Sequence, residues 1–228
     1  MGNILLVPVR ADALSLAADL PVVEAMADFT RLPYNDGERD VNADTANISE
    51  EIVSQPFQDQ NLYLKAGIHL HWSLPDTLTV GAHDADGTNF PSVPNRWLVS
   101  RGRSVDGGAP VVEKQWLVES DYLYPDGAGD GSGSVSYPHV PDAAKGETRP
   151  FRYLGRTMPV AAWTGEDPQS EHLTQLTAVG YGESSFAAFY PNCHSVFGFH
   201  DDDYAGTPLA GLRYDLFGWY ADAANDFL

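Results

Sequence analysis

Alternation of apolar and polar side chains is clearest between residues 61 and 74, where Leu62, Leu64, Ile68, Leu70 and Trp72 recur at every second position. Side chains of a strand alternate between its faces, so this pattern predicts a strand, or two interrupted at Gly67. It places Ile68, Leu70 and Trp72 on one face and His69 and His71 on the other. Two near copies follow, Arg96-Trp-Leu-Val-Ser-Arg101 and Gln115-Trp-Leu-Val-Glu-Ser120, separated by a turn-forming cluster at residues 105–109. They predict a β-hairpin whose arms share one pattern. Residues 3–10 read as a strand apolar on both faces, and 151–156, 195–200 and 212–220 as further strands. Helical spacing and capping signals predict short helices at 47–54, 170–180 and 184–190, the last ended by Pro191. The expected fold is α+β and strand-rich: a largely antiparallel sheet or barrel of about eight to ten short strands with two or three short helices. Residues 1–228 form a single domain in this reading, with a Gly/Ser/Asp-rich insertion at 125–149.

Composition sharpens the picture. The chain has 21 glycines and 16 prolines, which favours many turns over long helices. Acidic residues outnumber basic ones 32 to 13, a formal charge of −19 that repels phosphate backbones and argues against nucleic-acid and anionic-membrane partners. Adaptation to high salt is one reading of that charge and an ordinary acidic protein the other. Cys193 is the single cysteine, so no internal disulfide forms. The N-terminus lacks the basic region of a cleaved signal, and no apolar run has the length of a membrane span. The expected location is the cytoplasm, or outside it by a signal-independent route.

The densest candidate chemistry is Gly67-Ile-His-Leu-His-Trp-Ser-Leu-Pro-Asp76. Two imidazoles at i and i+2 on a strand share a face, as in many zinc or iron sites. His69 and His71 are therefore the candidate ligands, with His83, Asp84, His194 and His200 as candidates to complete the set, and Asp76 and Asp201–Asp203 as further carboxylates. The alternative is that both histidines hydrogen-bond to backbone or to a carboxylate. Asp84 and Asp86 before Gly87 suggest a cation loop but lack its remaining ligands, so an Asp-Gly turn is preferred. The run Asp201–Asp203 reads as a solvated turn. Cys193 reads as a small buried hydrophobe, since no cysteine-nucleophile signature surrounds it. No serine-hydrolase, kinase or dinucleotide motif is present. The five tryptophans, Trp72, Trp97, Trp116, Trp163 and Trp219, are expected in the core; exposed ones would suit stacking on sugars.

Five segments carry a resemblance: Leu5-Leu-Val-Pro-Val-Arg-Ala-Asp-Ala-Leu14, the block 67–76, Phe90-Pro-Ser-Val-Pro-Asn-Arg-Trp-Leu-Val99, the block 186–201, and Gly218-Trp-Tyr-Ala-Asp222. The chain resembles the N-terminal region of very long, multidomain bacterial proteins with no assigned activity. The resemblance spans nearly the whole sequence and agrees with the abrupt ending at Phe227-Leu228, which reads as the edge of an N-terminal module. The resemblance brings no activity with it; its spread, the ending and the absence of a complete catalytic motif together favour a structural or interaction module, leaning away from catalysis, whose partners are other domains of a parent chain or other proteins. The alternatives are a hydrolase or oxygenase using a transition metal on the His-X-His pair, and a carbohydrate-binding domain.

Overall fold

The computed structural model describes residues 7–25, 27–30, 63–85, 87–105, 107–125, 138–139, 152–180, 186–204 and 208–225. The strands among them are β1 (Arg10–Leu16), β2 (Leu20–Pro21), β3 (Tyr63–Leu64), β4 (Gly67–Ser73), β5 (Ala82–Asp84), β6 (Gly87–Asn89), β7 (Arg96–Arg103), β8 (Val111–Leu123), β9 (Pro138–His139), β10 (Arg152–Pro159), β11 (Gly198–Asp201) and β12 (Leu212–Trp219). Two one-turn helices accompany them, α1 (Asp76–Thr79) and α2 (Tyr190–Cys193). The strand-rich α+β expectation holds, and its choice between sheet and barrel resolves to open antiparallel sheets. A five-stranded sheet has the order β12-β7-β8-β10-β9 and a three-stranded sheet the order β1-β4-β11, beside two small ribbons, β2-β3 and β5-β6.

The alternation in β4 explains how the layers stack. Ile68, Leu70 and Trp72 face one way and join Phe199 of β11. Opposite them stand Trp97 and Val99 of β7 and Trp116 and Val118 of β8. The register pairs Trp97 with Val118, Leu98 with Leu117 and Val99 with Trp116. The twin Trp-Leu-Val steps thus run antiparallel and put both tryptophans on one inner face. That is the apolar core, sealed between two sheets as in sandwich packing. Trp72 and Trp97 meet at its centre, ring centroids 5.2 Å apart, both essentially inaccessible. The other face of β4, carrying the histidines, packs on a second cluster of Leu16, Val22, Ala25, Leu64 and Tyr190.

One buried charge pair fastens the two sheets. Arg101 lies on the inner face of β7 and donates from Nη1 to Asp201 Oδ2 of β11 at 2.6 Å. Tyr214 of β12 donates to the same oxygen at 2.6 Å, and the guanidinium lies 4.3 Å from the Tyr204 ring. Burial and the Asp201 charge both push the Tyr214 hydroxyl pKa upward, keeping it a donor. This corrects the reading of Asp201–Asp203 as a solvated turn: Asp201 is buried, Asp203 pairs with Lys114 at 2.6 Å, and Asp202 alone of the three is exposed without a hydrogen-bonded role in this junction.

Several expectations need correction. Residues 170–180 are not helical; Leu173 donates its N–H to Asp121 O, and Val93 donates to Leu176 O, so the segment lies extended against neighbouring strands. Its two leucines fit that docking as well as they fit a helical face. Of the helix expected at 184–190, residues 184–185 lie outside the described residues and Phe186–Ala188 form one 3-10 turn, while Pro191, expected to end it, sits in the first turn of α2, where its missing N–H costs no hydrogen bond. Of the strand expected at 3–10, residues 3–6 lie outside the described residues, residues 7–9 are irregular, and β1 begins at Arg10. The polar loop after Asp76 contains the β5-β6 ribbon, and the strand expected at 195–200 begins at Gly198. The helix at 47–54 and nearly all of the insertion at 125–149 lie outside the described residues. Among the described residues, no helix is long and apolar enough to cross a membrane.

Candidate functional site

The site is built on the polar face of β4. Cross-strand pairing sets His69 opposite Leu14 of β1 on one side and His200 of β11 on the other. The His69 and His200 rings stack face to face, centroids 4.2 Å apart and planes within 3°. His71 faces Gly198 across the same pair of strands. A Cβ at Gly198 would come within 2.7 Å of the Tyr190 ring, so glycine there opens the space that Tyr190 fills. The Tyr190 hydroxyl then donates to His69 Nδ1 at 2.7 Å. His69 Nε2 donates to Lys65 O at 2.7 Å, which fixes the tautomer and leaves both ring nitrogens engaged.

His194 arrives by a tight turn. After α2, Val196 and Phe197 both donate to Cys193 O at 2.8 Å, and Ser195 takes a left-handed backbone conformation at φ 62°. This reversal returns the chain into β11 and carries His194 to 6.3 Å from the His200 ring and 5.0 Å from Tyr190. One ligand atom from each of His69, His194 and His200 then lies within 4.8 Å of the others. Burial of an imidazolium without a counter-charge lowers the pKa of His69 to about 4, with His200 adding to the effect. His194 is lowered well below its ordinary value by the same cause, with contributions from His69 and His200. His69 and His194 are thereby held neutral near pH 7.

Of the sequence candidates, the structure thus joins His69, His194 and His200. It does not bring His71 into that group. His71 Nε2 donates to Ala187 O at 2.9 Å, its ring stacks on Phe29 at 5.5 Å, and its Nδ1 is buried without a partner. His83 and Asp84 are exposed in the β5-β6 ribbon, where His83 bonds Thr88 and Asp84 accepts from Gly87 N and the Asn89 amide. Asp86, the aspartate of the expected Asp-Gly turn, lies outside the described residues. Asp76 opens α1 on the surface. Cys193 is buried, donates to Phe189 O at 3.3 Å, and burial raises its thiol pKa, which opposes thiolate formation.

Geometry limits what the trio can do with a metal. Zinc takes imidazole nitrogen at about 2.0–2.1 Å along the in-plane lone pair. Two parallel stacked rings have no in-plane point in common, so His69 and His200 cannot address one ion without splaying apart. His69 would also have to release Tyr190. In its favour, His69 and His200 each donate Nε2–H to a neighbouring carbonyl, Lys65 O and Ala66 O, and metal-ligating histidines are often oriented by such bonds.

A second polar cluster has no counterpart in the sequence reading. On the outer face of the five-stranded sheet, the register aligns Trp219, Arg96, Glu119 and Arg156 in one cross-strand row. Buried Arg96 binds Asp121 at 2.5 Å and grips Glu166 through two bonds of 2.9 and 2.6 Å. Arg156 pairs with the inaccessible Glu119, which also accepts from Trp163 Nε1 at 3.3 Å. Glu119, Glu166 and His172 form another group of potential ligands. Their carboxylates are already neutralised by arginines that any cation would have to displace. The signals available in sequence were the charged residues at the ends of the twin Trp-Leu-Val steps, which alternation places on the outer face.

No family model matches the chain, and neither a similar curated protein nor a similar solved structure was found.

Proposed function

We propose that this chain is a non-catalytic structural and interaction module, whose partners are other domains of a longer polypeptide or separate proteins. The observation that supports it is the closure of His69: both ring nitrogens are used by Tyr190 and Lys65, so the most chemistry-rich side chain ties β4 to α2. The arginine clusters act similarly, with Arg101 joining the sheets and Arg96 holding Glu166 to the outer face. The test is a panel of ester, phosphate and glycoside substrates offered to the purified protein. The expected result is no turnover above buffer. Turnover that disappears in His69→Ala would overturn the reading.

A second reading, a transition-metal centre on His69, His194 and His200, rests on the convergence of their ligand atoms and the carbonyl-anchored Nε2 groups. Elemental analysis of protein expressed without an affinity tag separates the two. The preferred reading expects no stoichiometric zinc or iron; a full equivalent that is lost in His69→Ala would establish the metal centre instead.

A further inference from the structure

The outer face of β12 carries an aromatic ledge. Residues 213, 215, 217 and 219 share that face, while Leu212, Tyr214 and Leu216 pack on the core. Phe217 is 54% exposed, unusual for so large an apolar side chain inside a regular strand. Its ring lies 6.2 Å from that of Trp219, tilted by 33°, so the two form a shallow floor. Trp163 stands edge-on to Trp219 at 6.5 Å and 68°, making a wall. The Trp163 indole N–H is tied to Glu119, which sets the ring's orientation.

We propose that this ledge binds a neutral polysaccharide chain. The proposal deepens the interaction-module reading and rests on it. Pyranose rings present flat arrays of C–H groups that stack on aromatic faces, while their hydroxyls need hydrogen-bonding partners at the rim. Both are here. Glu166, with its side chain 46% exposed, is held by Arg96, the cross-strand neighbour of Trp219. Asp215 and Arg213, more than half exposed, continue the same face of the strand beyond Phe217. The charge at the ledge selects the ligand class. Glu166 is paired with Arg96 and Asp215 with Arg213, so the rim is locally balanced and offers no excess charge to a basic peptide. The chain's net charge of −19 disfavours polyanions such as uronic-acid polymers. A neutral, polyhydroxylated chain suits both conditions.

Native affinity electrophoresis of the full chain, in gels containing hydroxyethylcellulose, xylan, galactomannan or soluble starch, tests this directly. Retardation is expected in at least one of these gels, with an intrinsic tryptophan fluorescence change when the same polymer is added in solution. Phe217→Ala should weaken the interaction about tenfold, equivalent to about 1.4 kcal/mol. Phe217→Ser, a polar surface replacement, should do the same if the alanine variant proves insoluble. No retardation in any of the four gels, or retardation unchanged in the Phe217 variants, overturns the proposal. Reducing-end release is measured in parallel: binding without release keeps both readings, whereas release overturns the non-catalytic reading even if the ledge binds.

Discussion

At the residue scale, His69 makes stability depend on pH with a definite sign. Its imidazole is held neutral in the folded state, with a pKa near 4 against 6.5 when unperturbed. Above pH 6.5 neither state is protonated and the full stability is present. As pH falls below 6.5, the unfolded chain takes up a proton that the folded chain refuses, and stability drops until about pH 4. The shift corresponds to about 3 kcal/mol for this one group. His194, displaced in the same direction by the same burial, adds to the loss. Denaturant titrations at several pH values across this interval should show a falling midpoint. His69→Gln, lower in absolute stability, should show a slope shallower by about one proton. A midpoint flat across the interval would mean the imidazoles are protonated or solvated in the native state.

Gly67 is the companion case. It sits at φ +136°, and a Cβ there would lie 2.4 Å from Asp201 O and 2.6 Å from His200 Nε2. The glycine at the entrance to the histidine strand is what lets β11 approach β4 closely enough for the two imidazoles to stack. Gly67→Ala combines backbone strain with a clash against main chain, which cannot swing away. It should cost several kcal/mol, read as a large drop in thermal midpoint. Gly107→Ala is the control: its φ is also positive but nothing lies within 4 Å of the added methyl, so only the backbone penalty remains.

At the element scale, the Arg101–Asp201 pair should dominate the docking of the two sheets. Removing one partner of a buried pair strands the other charge, which costs about 3–5 kcal/mol. Arg101→Met keeps the stem's packing against Trp116 and Tyr204 yet leaves Asp201 buried with only the neutral Tyr214 hydroxyl and the Asp203 N–H as donors. Its loss should far exceed that of Arg213→Ala, which breaks an exposed pair on β12. Measured unfolding free energies that were equal for the two variants would contradict this arrangement. What could be read in advance divides along the same line. The faces of β4 and the β7-β8 hairpin were legible because period-two alternation and twin Trp-Leu-Val steps are local signals. His194 and His200 were nameable as candidates, but their meeting with His69 depends on β11 pairing with β4 and on the reversal at Ser195. Tyr190 gave no sign of its role, because the space it occupies is made by Gly198 on another element. The segment 170–180 misled because leucines three apart serve an extended strap as well as a helix.

At the scale of the whole molecule, 32 acidic residues face 13 basic ones, and the most buried of those bases are spent inside the fold. Arg96 and Arg101 neutralise interior carboxylates one for one, so these pairs leave the acidic excess on the surface. Self-repulsion of that surface destabilises the compact state at low ionic strength. Raising salt from about 0.01 M to about 1 M shortens the screening length from about 30 Å to about 3 Å. Repulsion between dispersed carboxylates is then removed, while the interior pairs, shielded from solvent, are nearly unaffected. The exposed pairs, such as Arg213–Asp215, lose attraction but contribute little to begin with. The balance therefore favours the folded state, and the thermal midpoint should rise by several degrees with sodium chloride at neutral pH. Scans in sodium chloride and in an equal-ionic-strength series of potassium chloride should superimpose if screening is the cause. A midpoint that falls with salt would mean that surface attraction, not repulsion, governs the charge of this molecule.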